Sequence, residues 1–306
     1  MSALLKWVNG PPNRLLYWAI FRVYLALHLT NQIVSYLFLR DLLFSDNSFI
    51  PLSSIGYARF FQQHIVLFLL GYLFLVVAMG FGIGRNLTVL LVFGATKTIQ
   101  SMNSYILNGG HNFLTFLLLY LCFADSFKYL VLNKSPAKAH GAVRSLYDYV
   151  TNLATACVLM HLSLIYLISG LAKAHSDVWY HGDALYYIFL VERFQGLEWN
   201  ATLAQNGLLV AVMTYSVMLW ELYFPALVWV PRLRVPVLVA GLLMHIGICI
   251  SMMLYDFEIL FAMTYGFFFR DDQIERILRR GRHALEAWRE RFGTYWGRRI
   301  ANSAKR

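Results

Sequence analysis

Long apolar stretches alternate with short polar segments along almost the whole chain. A helix needs about 20 apolar residues to cross a bilayer, and most of these stretches reach that length. The last one is short, and we expect it to be tilted or partly interfacial. The predicted membrane spans are residues 15–39, 64–84, 87–107, 112–132, 149–171, 207–230, 235–254 and 257–269.

The composition indicates a chain that is solvated by lipid. Of its 306 residues, 59% are hydrophobic and only 14% are charged, whereas a soluble domain carries about 25% charged residues. A transmembrane β-barrel would show alternating strands of about ten residues, and the apolar runs here are longer than that. The sequence therefore predicts an all-α polytopic membrane protein, a bundle of about eight transmembrane helices.

The net charge of +10 is distributed unevenly. If the N-terminus is cytoplasmic, most of the 26 lysines and arginines fall in cytoplasmic segments, which is the usual bias of membrane proteins. We therefore expect both termini in the cytoplasm and residues 108–112, 172–206 and 255–258 on the outer side of the membrane. Because the charge follows the membrane surface, we expect no nucleic-acid partner.

The chain divides into a predicted transmembrane domain, residues 1–270, and a basic tail, residues 271–306. Apolar residues at helical spacing predict that the tail is an amphipathic helix on the anionic inner leaflet. The alternative is an exposed tail with accidental periodicity. The apolar stripe consists of Ile274, Ile277, Leu278, Leu285, Trp288 and Phe292.

Three charged residues within the predicted spans are candidates for an intramembrane network: Arg22, Lys97 and Glu221. Each costs at least roughly 2.5–3.5 kcal/mol at the middle of a membrane, so we expect them to face the bundle interior as a charge network. Glu221 would pair with Lys97 or with Arg22. Such a bridge either fixes helix packing alone or belongs to a functional site.

His111 lies at the start of the fourth span, between Asn108 and Asn112 and directly after Gly109–Gly110. The positive end of a helix dipole favours a neutral imidazole, which donates one hydrogen bond and accepts another. His111 is therefore a candidate functional residue. The alternative is a helix-start residue at the membrane interface.

Lys173 ends the fifth apolar run, twelve residues after His161 and close to its angular position on a helix. A partly desolvated lysine loses its proton easily and can then act as a base. The alternative is a lysine that extends its ammonium to the interface. The following His175, Asp177, His181 and Asp183 do not have the spacing of a zinc motif, so no metal is predicted.

Several of these motifs resemble, in their order and intervals, the transmembrane domain of the vitamin K-dependent γ-glutamyl carboxylase family. That family belongs with a wider bacterial group, the horizontally transferred transmembrane (HTTM) domain, so a bacterial inner membrane is the expected location. The matching pieces, within about residues 10–270, are Asn108–Asn112, Tyr166–Lys173 with Asp177 and Trp179, Glu221–Pro225 and His245.

The resemblance implies that a membrane-embedded lysine deprotonates reduced vitamin K, which then reacts with oxygen. On this basis Lys173 is the expected catalytic base, His111 assists it, and a reduced quinone is the expected substrate or cofactor. No large extracytoplasmic domain follows the last span, so we expect quinol chemistry rather than glutamate carboxylation. The expected substrate- or cofactor-binding residues are Asn108, Asn112, His161, His175, Trp179 and His245.

Two other functions fit the same sequence. One is a membrane factor for the maturation or export of a secreted peptide, which would then be a partner. The other is a transporter or lipid-binding protein that uses the charges of Arg22, Lys97 and Glu221 within the membrane. The enzyme hypothesis predicts that activity depends on Lys173 and His111, whereas the transporter hypothesis predicts that it depends on the three intramembrane charges.

Overall fold

The structure is a computed structural model that describes residues 7–44, 56–103, 106–132 and 141–303, without the side chains of 287, 290, 291 and 293–303. Within these ranges every regular element is a helix, which confirms the predicted all-helical class. Two short 3-10 turns, Glu192–Phe194 and Tyr265–Phe268, join helices. The α-helices are α1 (Leu15–Phe38), α2 (Arg40–Phe44), α3 (Gly56–Gln63), α4 (Ile65–Gly80), α5 (Arg85–Met102), α6 (Gly109–Phe123), α7 (Ala142–Ala174), α8 (Asp177–Tyr180), α9 (Ala184–Leu190), α10 (Asn200–Ala204), α11 (Gly207–Leu227), α12 (Arg234–Met252), α13 (Tyr255–Thr264) and α14 (Asp271–Ser303).

In the described part of the chain, three helices are long and apolar enough to cross a membrane: α7, α11 and α12. The pair α3–α4 would add a fourth if it is one span, although it bends by 95°. The helix α6 is apolar but shorter, and α13 has 10 residues. A membrane-embedded helical protein is therefore supported, while the full set of eight spans remains a prediction.

Several predicted span boundaries differ from the helices. The span predicted at 112–132 is helical only as far as Phe123, because the chain leaves the helix at Ala124, where the backbone is extended. The fifth span is longer than predicted, since α7 begins at Ala142 and ends at Ala174. The third predicted span, 87–107, includes residues 104 and 105, which lie outside the described residues, and α5 ends at Met102.

The core of the bundle forms around α1. Its side chains Trp18, Phe21 and Leu25 are completely buried. Phe267 packs against Trp18 and Phe21, with ring centroids 4.5 and 5.0 Å apart. The indole of Trp18 also donates to the hydroxyl of Thr155 at 2.9 Å, which fixes α1 against α7. The helix α1 is thus a central element against which the C-terminal helices pack.

A polar clamp joins the start of α1 to the start of α14. The Asp271 carboxylate accepts hydrogen bonds from the backbone amides of Leu16 and Tyr17, at 3.1 and 3.4 Å. These amides belong to the first turn of α1, which has no acceptors for them within the helix. Arg14 completes the clamp through its donation to the Phe267 carbonyl at 2.6 Å. Burial raises the pKa of Asp271 and lowers that of Arg14 to about 10.

Asp271→Asn and Asp271→Ala test this clamp. Asparagine keeps an acceptor oxygen without a desolvated charge, so we expect its stability to match wild type at a pH where the Asp271 carboxyl is protonated. Alanine leaves the α1 amides unpaired and should cost about 1 kcal/mol of unfolding free energy.

Because the folded carboxyl has the raised pKa, wild type should lose stability relative to Asp271→Asn as the pH rises through that pKa. Unfolding in detergent at several pH values measures both effects, and equal stability of all three proteins would contradict the clamp.

Candidate functional site

The site is built where α7 and α11 cross closely. A Cβ added at Gly170 would lie 2.8 Å from the backbone nitrogen of Leu222 and 3.1 Å from the carbonyl carbon of Glu221, so only glycine fits there. Pro225 also lies inside α11 and has no amide hydrogen to donate to the Glu221 carbonyl four residues earlier. The crossing therefore brings the backbone of Glu221 against the last turns of α7.

Lys173 lies almost one turn after Gly170, and it meets Glu221 at this crossing. Its Nζ is 2.5 Å from Glu221 Oε2 and donates to Ser169 Oγ at 2.8 Å. The side chains of Lys173 and Glu221 are only 19% and 10% exposed. The ring of Trp179 lies 5.0 Å from the same Nζ, within range of a cation–π contact. The lysine is therefore held by protein groups instead of extending alone to the interface.

A second set of polar groups continues inward from this pair. Tyr166, two turns before Lys173 on α7, hydrogen-bonds His245 Nε2 at 2.8 Å and Tyr265 Oη at 2.9 Å. Tyr265 Oη also lies 2.9 Å from His245 Nε2, and His245 Nδ1 contacts Glu258. All four side chains are buried. Both ring nitrogens of His245, a predicted binding residue, thus contact protein groups.

The predicted start of a helix at His111 is confirmed. The helix α6 begins at Gly109, and Asn108 accepts a hydrogen bond from the His111 amide at 3.0 Å as its N-cap. The Asn108 side chain also lies 2.9 Å from His111 Nδ1, and the Tyr36 hydroxyl lies 3.3 Å from Nε2. Asn112, in contrast, is exposed at the surface. Asn108 and Tyr36 therefore orient the imidazole.

Further polar groups surround His111 on α1 and α13. Gln32 lies 3.1 Å from the buried His28. Asp256, in the first turn of α13, lies within electrostatic range of His28, Tyr36 and His111. This His111 cluster contains donors, acceptors and a carboxylate. It has the composition of a site that binds a polar group.

The aromatic face of α13 lies between the His111 cluster and the buried tyrosines. A Cβ added at Gly110 would be 3.0 Å from the Phe257 ring, so the glycine allows α6 to approach α13. The Phe257 and Phe261 rings are 4.6 Å apart, and Phe261 lies 6.0 Å from Tyr166. Asp256 and Glu258, near the start of this helix, thus serve different clusters.

The predicted charge network of Arg22, Lys97 and Glu221 is wrong in its pairing. Glu221 binds Lys173, because the crossing at Gly170 puts these two side chains together. The fully buried Arg22 donates to backbone carbonyls, among them Leu130 at 2.5 Å and Ser126. Lys97 is exposed and donates to Gln100 at 3.2 Å. The alternative in which all three charges form one site therefore has no support in the geometry.

The remaining predicted binding residues do not converge on Lys173, apart from Trp179. His161 Nδ1 lies 3.0 Å from the Tyr120 hydroxyl, and twelve residues of helix separate it from Lys173 by about 18 Å. His175 is exposed, and its Nδ1 contacts the Leu171 carbonyl at 2.8 Å. In the described ranges, no three side chains of His, Cys, Asp or Glu come together as metal ligands would.

Sequence reasoning missed Tyr36, Asp256, Glu258 and Tyr265 as members of these clusters. Asp256 and Glu258 follow Tyr255 in a short polar turn of the sequence, and acidic residues at that position were a usable signal. The tyrosines have no such signal, because one tyrosine among 19 in an aromatic-rich chain is indistinguishable from a core residue.

Comparison with known proteins identifies no relative. No family model, no curated protein and no solved structure matches the chain. The likeness to the carboxylase family thus rests on the motifs themselves and stays a prediction.

Gly170→Ala and Gly94→Ala form a matched pair that tests the crossing. Both glycines lie within helices, but a Cβ at Gly94 meets nothing within 4 Å. We expect Gly170→Ala to lose about 1–2 kcal/mol of unfolding free energy, because α7 and α11 must separate. Gly94→Ala should gain up to about 1 kcal/mol from helix propensity. Denaturation in mixed micelles measures both, and a neutral Gly170→Ala would show that the crossing is not tight.

Proposed function

We propose that this chain is a membrane enzyme that removes a proton from a lipid-soluble hydroxyl compound, such as a reduced quinone. Lys173 is the proton acceptor, and His111 assists from its own cluster. The observation that carries the proposal is the contact of Lys173 Nζ with Glu221 Oε2, in a place where both side chains are largely shielded from water. An amine and a carboxylate so placed share a proton that can move.

The chemistry follows from the two ways of placing that proton. As ammonium and carboxylate, the pair has two opposite charges; as amine and carboxylic acid, it has none. In the uncharged form the lone pair of Lys173 Nζ is free to accept the proton of a substrate O–H. The products are then an ammonium and an oxyanion, so the substrate oxygen takes over the role of counter-ion to Lys173.

Aromatic groups near the pair suit a flat, apolar substrate. Trp179 lies against Lys173 Nζ and is half-buried. Ring faces of this kind bind planar molecules by stacking and keep water from the amine. A reduced quinone combines a planar ring with an acidic hydroxyl, and dioxygen would be the electron acceptor for its oxidation, as the family resemblance implies.

The finer topology also belongs to this proposal. Eight spans with both termini in the cytoplasm would put Lys173 and His111 at the outer side of an inner membrane. The helix α14 would then lie on the inner surface, where its exposed Ile277, Leu278 and Trp288 would meet lipid and its arginines would meet anionic headgroups.

Substitution of Lys173 tests the proposed reaction. We expect Lys173→Ala to reduce turnover of reduced quinone at least about 100-fold, the usual contribution of a positioned base. Lys173→Arg should not restore activity, because a guanidinium keeps its proton. Oxygen uptake and formation of oxidised quinone by purified protein in liposomes are the measurements.

Lys128→Ala is the matched control, because Lys128 is an exposed lysine outside the site. Lys128→Ala should keep wild-type turnover. Lys97→Ala should keep it too, whereas a transporter that uses Lys97 would lose its transport activity in that variant. Normal turnover by Lys173→Ala would end the proposal.

Cysteine labelling tests the topology. In a chain whose own cysteines are replaced, we expect Asp183→Cys to react with a membrane-impermeant maleimide in intact cells. Arg279→Cys should react only after the membrane is opened, because α14 would be cytoplasmic. Both positions are exposed, so accessibility within the fold does not limit the reaction. Labelling of Arg279→Cys in intact cells would reverse the orientation.

A further inference from the structure

A polar pocket of about 280 Å³ lies between α2 and α3, apart from the Lys173 site. The axes of α3 and α4 are bent by 95° relative to each other, so α3 is a short helix that lies almost perpendicular to α4. The pocket is lined mainly by Arg40, Asp41, Phe44, Arg59, Gln62 and Gln63.

Gln62 is the unusual residue of this pocket. Its side chain is 6% exposed, and neither Nε2 nor Oε1 has a hydrogen-bond partner. It lies one turn after the fully buried Ala58, on the inward face of α3. A buried amide without a partner is costly, and such a group in a native fold points to a ligand or a water.

The charges around Gln62 favour an anion. Arg59 is exposed, and its side chain has no hydrogen-bond or ion-pair partner among the described residues. Arg40 lies 3.6 Å from Asp41, but the Asp41 side chain is 85% exposed and the pair is correspondingly weak. Among the described lining residues, two guanidinium groups and one carboxylate leave a net charge of about +1. A ligand with one negative charge and several acceptor oxygens neutralises it.

We propose that this pocket binds a phosphodiester that also carries a hydroxyl group, the chemistry of a phosphatidylglycerol headgroup. The arginines and Gln62 Nε2 donate to the phosphate oxygens, and the ligand hydroxyl donates to Gln62 Oε1. The amide thereby gains a partner for each of its polar atoms.

The other side of α3 offers room for an acyl chain. A groove of about 470 Å³ starts there at Phe60 and Phe61 and continues along α4, where its mostly apolar lining includes Leu67 and Phe68. A lipid seated across α3 would therefore place its phosphate and its chain in two cavities that share one helix. This continuity favours a membrane lipid over free phosphate as the source of the anion.

The test is lipid-dependent thermal stability of the full chain in phosphatidylcholine vesicles with and without phosphatidylglycerol. We expect phosphatidylglycerol to raise the Tm of wild type. It should also bind to wild type at least about tenfold more tightly than to Arg59→Ala or Gln62→Leu. Without the anionic lipid, Gln62→Leu should be as stable as wild type or more so, because it removes the unpaired amide. Arg232→Ala, which removes an exposed arginine from the turn between α11 and α12, should bind like wild type.

A second arm uses inorganic phosphate with phosphatidylcholine alone. If phosphate gives no protection while phosphatidylglycerol does, the ligand is the lipid. If phosphate protects equally and both variants lose this effect, the anion site stands with a soluble ligand. Equal binding of phosphatidylglycerol by wild type, Arg59→Ala and Gln62→Leu would overturn the proposal.

Discussion

The arrangement of this protein depends on one contact, the pairing of Lys173 with Glu221 at the crossing of α7 and α11. Two charges with so little exposure are tolerated only together, because each one alone would lose its hydration without gaining a partner. The pair is possible because Gly170 has no side chain and the two backbones touch. The close helix packing at Gly170 is therefore what allows the Lys173–Glu221 pair to form.

Other polar groups of the bundle extend from this contact. Tyr166 and Tyr265 are buried, and they share hydrogen bonds with each other and with His245. The aromatic face of α13 separates them from the His111 cluster. The short helix α13 thus packs against Tyr166, two turns before Lys173 on α7, and against Gly110 at the start of α6. This is the arrangement on which the proposed proton transfer relies.

The sequence predicted part of this arrangement for clear physical reasons. Hydropathy predicted the helical class and put His111 at the start of a span, close to where α6 begins, since both are properties of contiguous residues. The position of Lys173 at the end of an apolar run was also predictable, because it depends only on neighbouring residues in the sequence. The partner of Glu221 was not predictable, because spacing along one helix fixes an angular position but not which helix lies opposite. The same holds for Gln62, whose burial depends on how α3 packs against the rest of the bundle.

A double-mutant cycle on unfolding free energy tests the central contact most directly. Lys173→Met and Glu221→Leu each leave one charge without its partner, so each should cost about 3–5 kcal/mol, while the double variant should cost far less than the sum. A coupling energy of about 3 kcal/mol between the two positions is the result that this account predicts. Strictly additive costs would show that the two side chains do not hold each other in the membrane, and the account would be wrong.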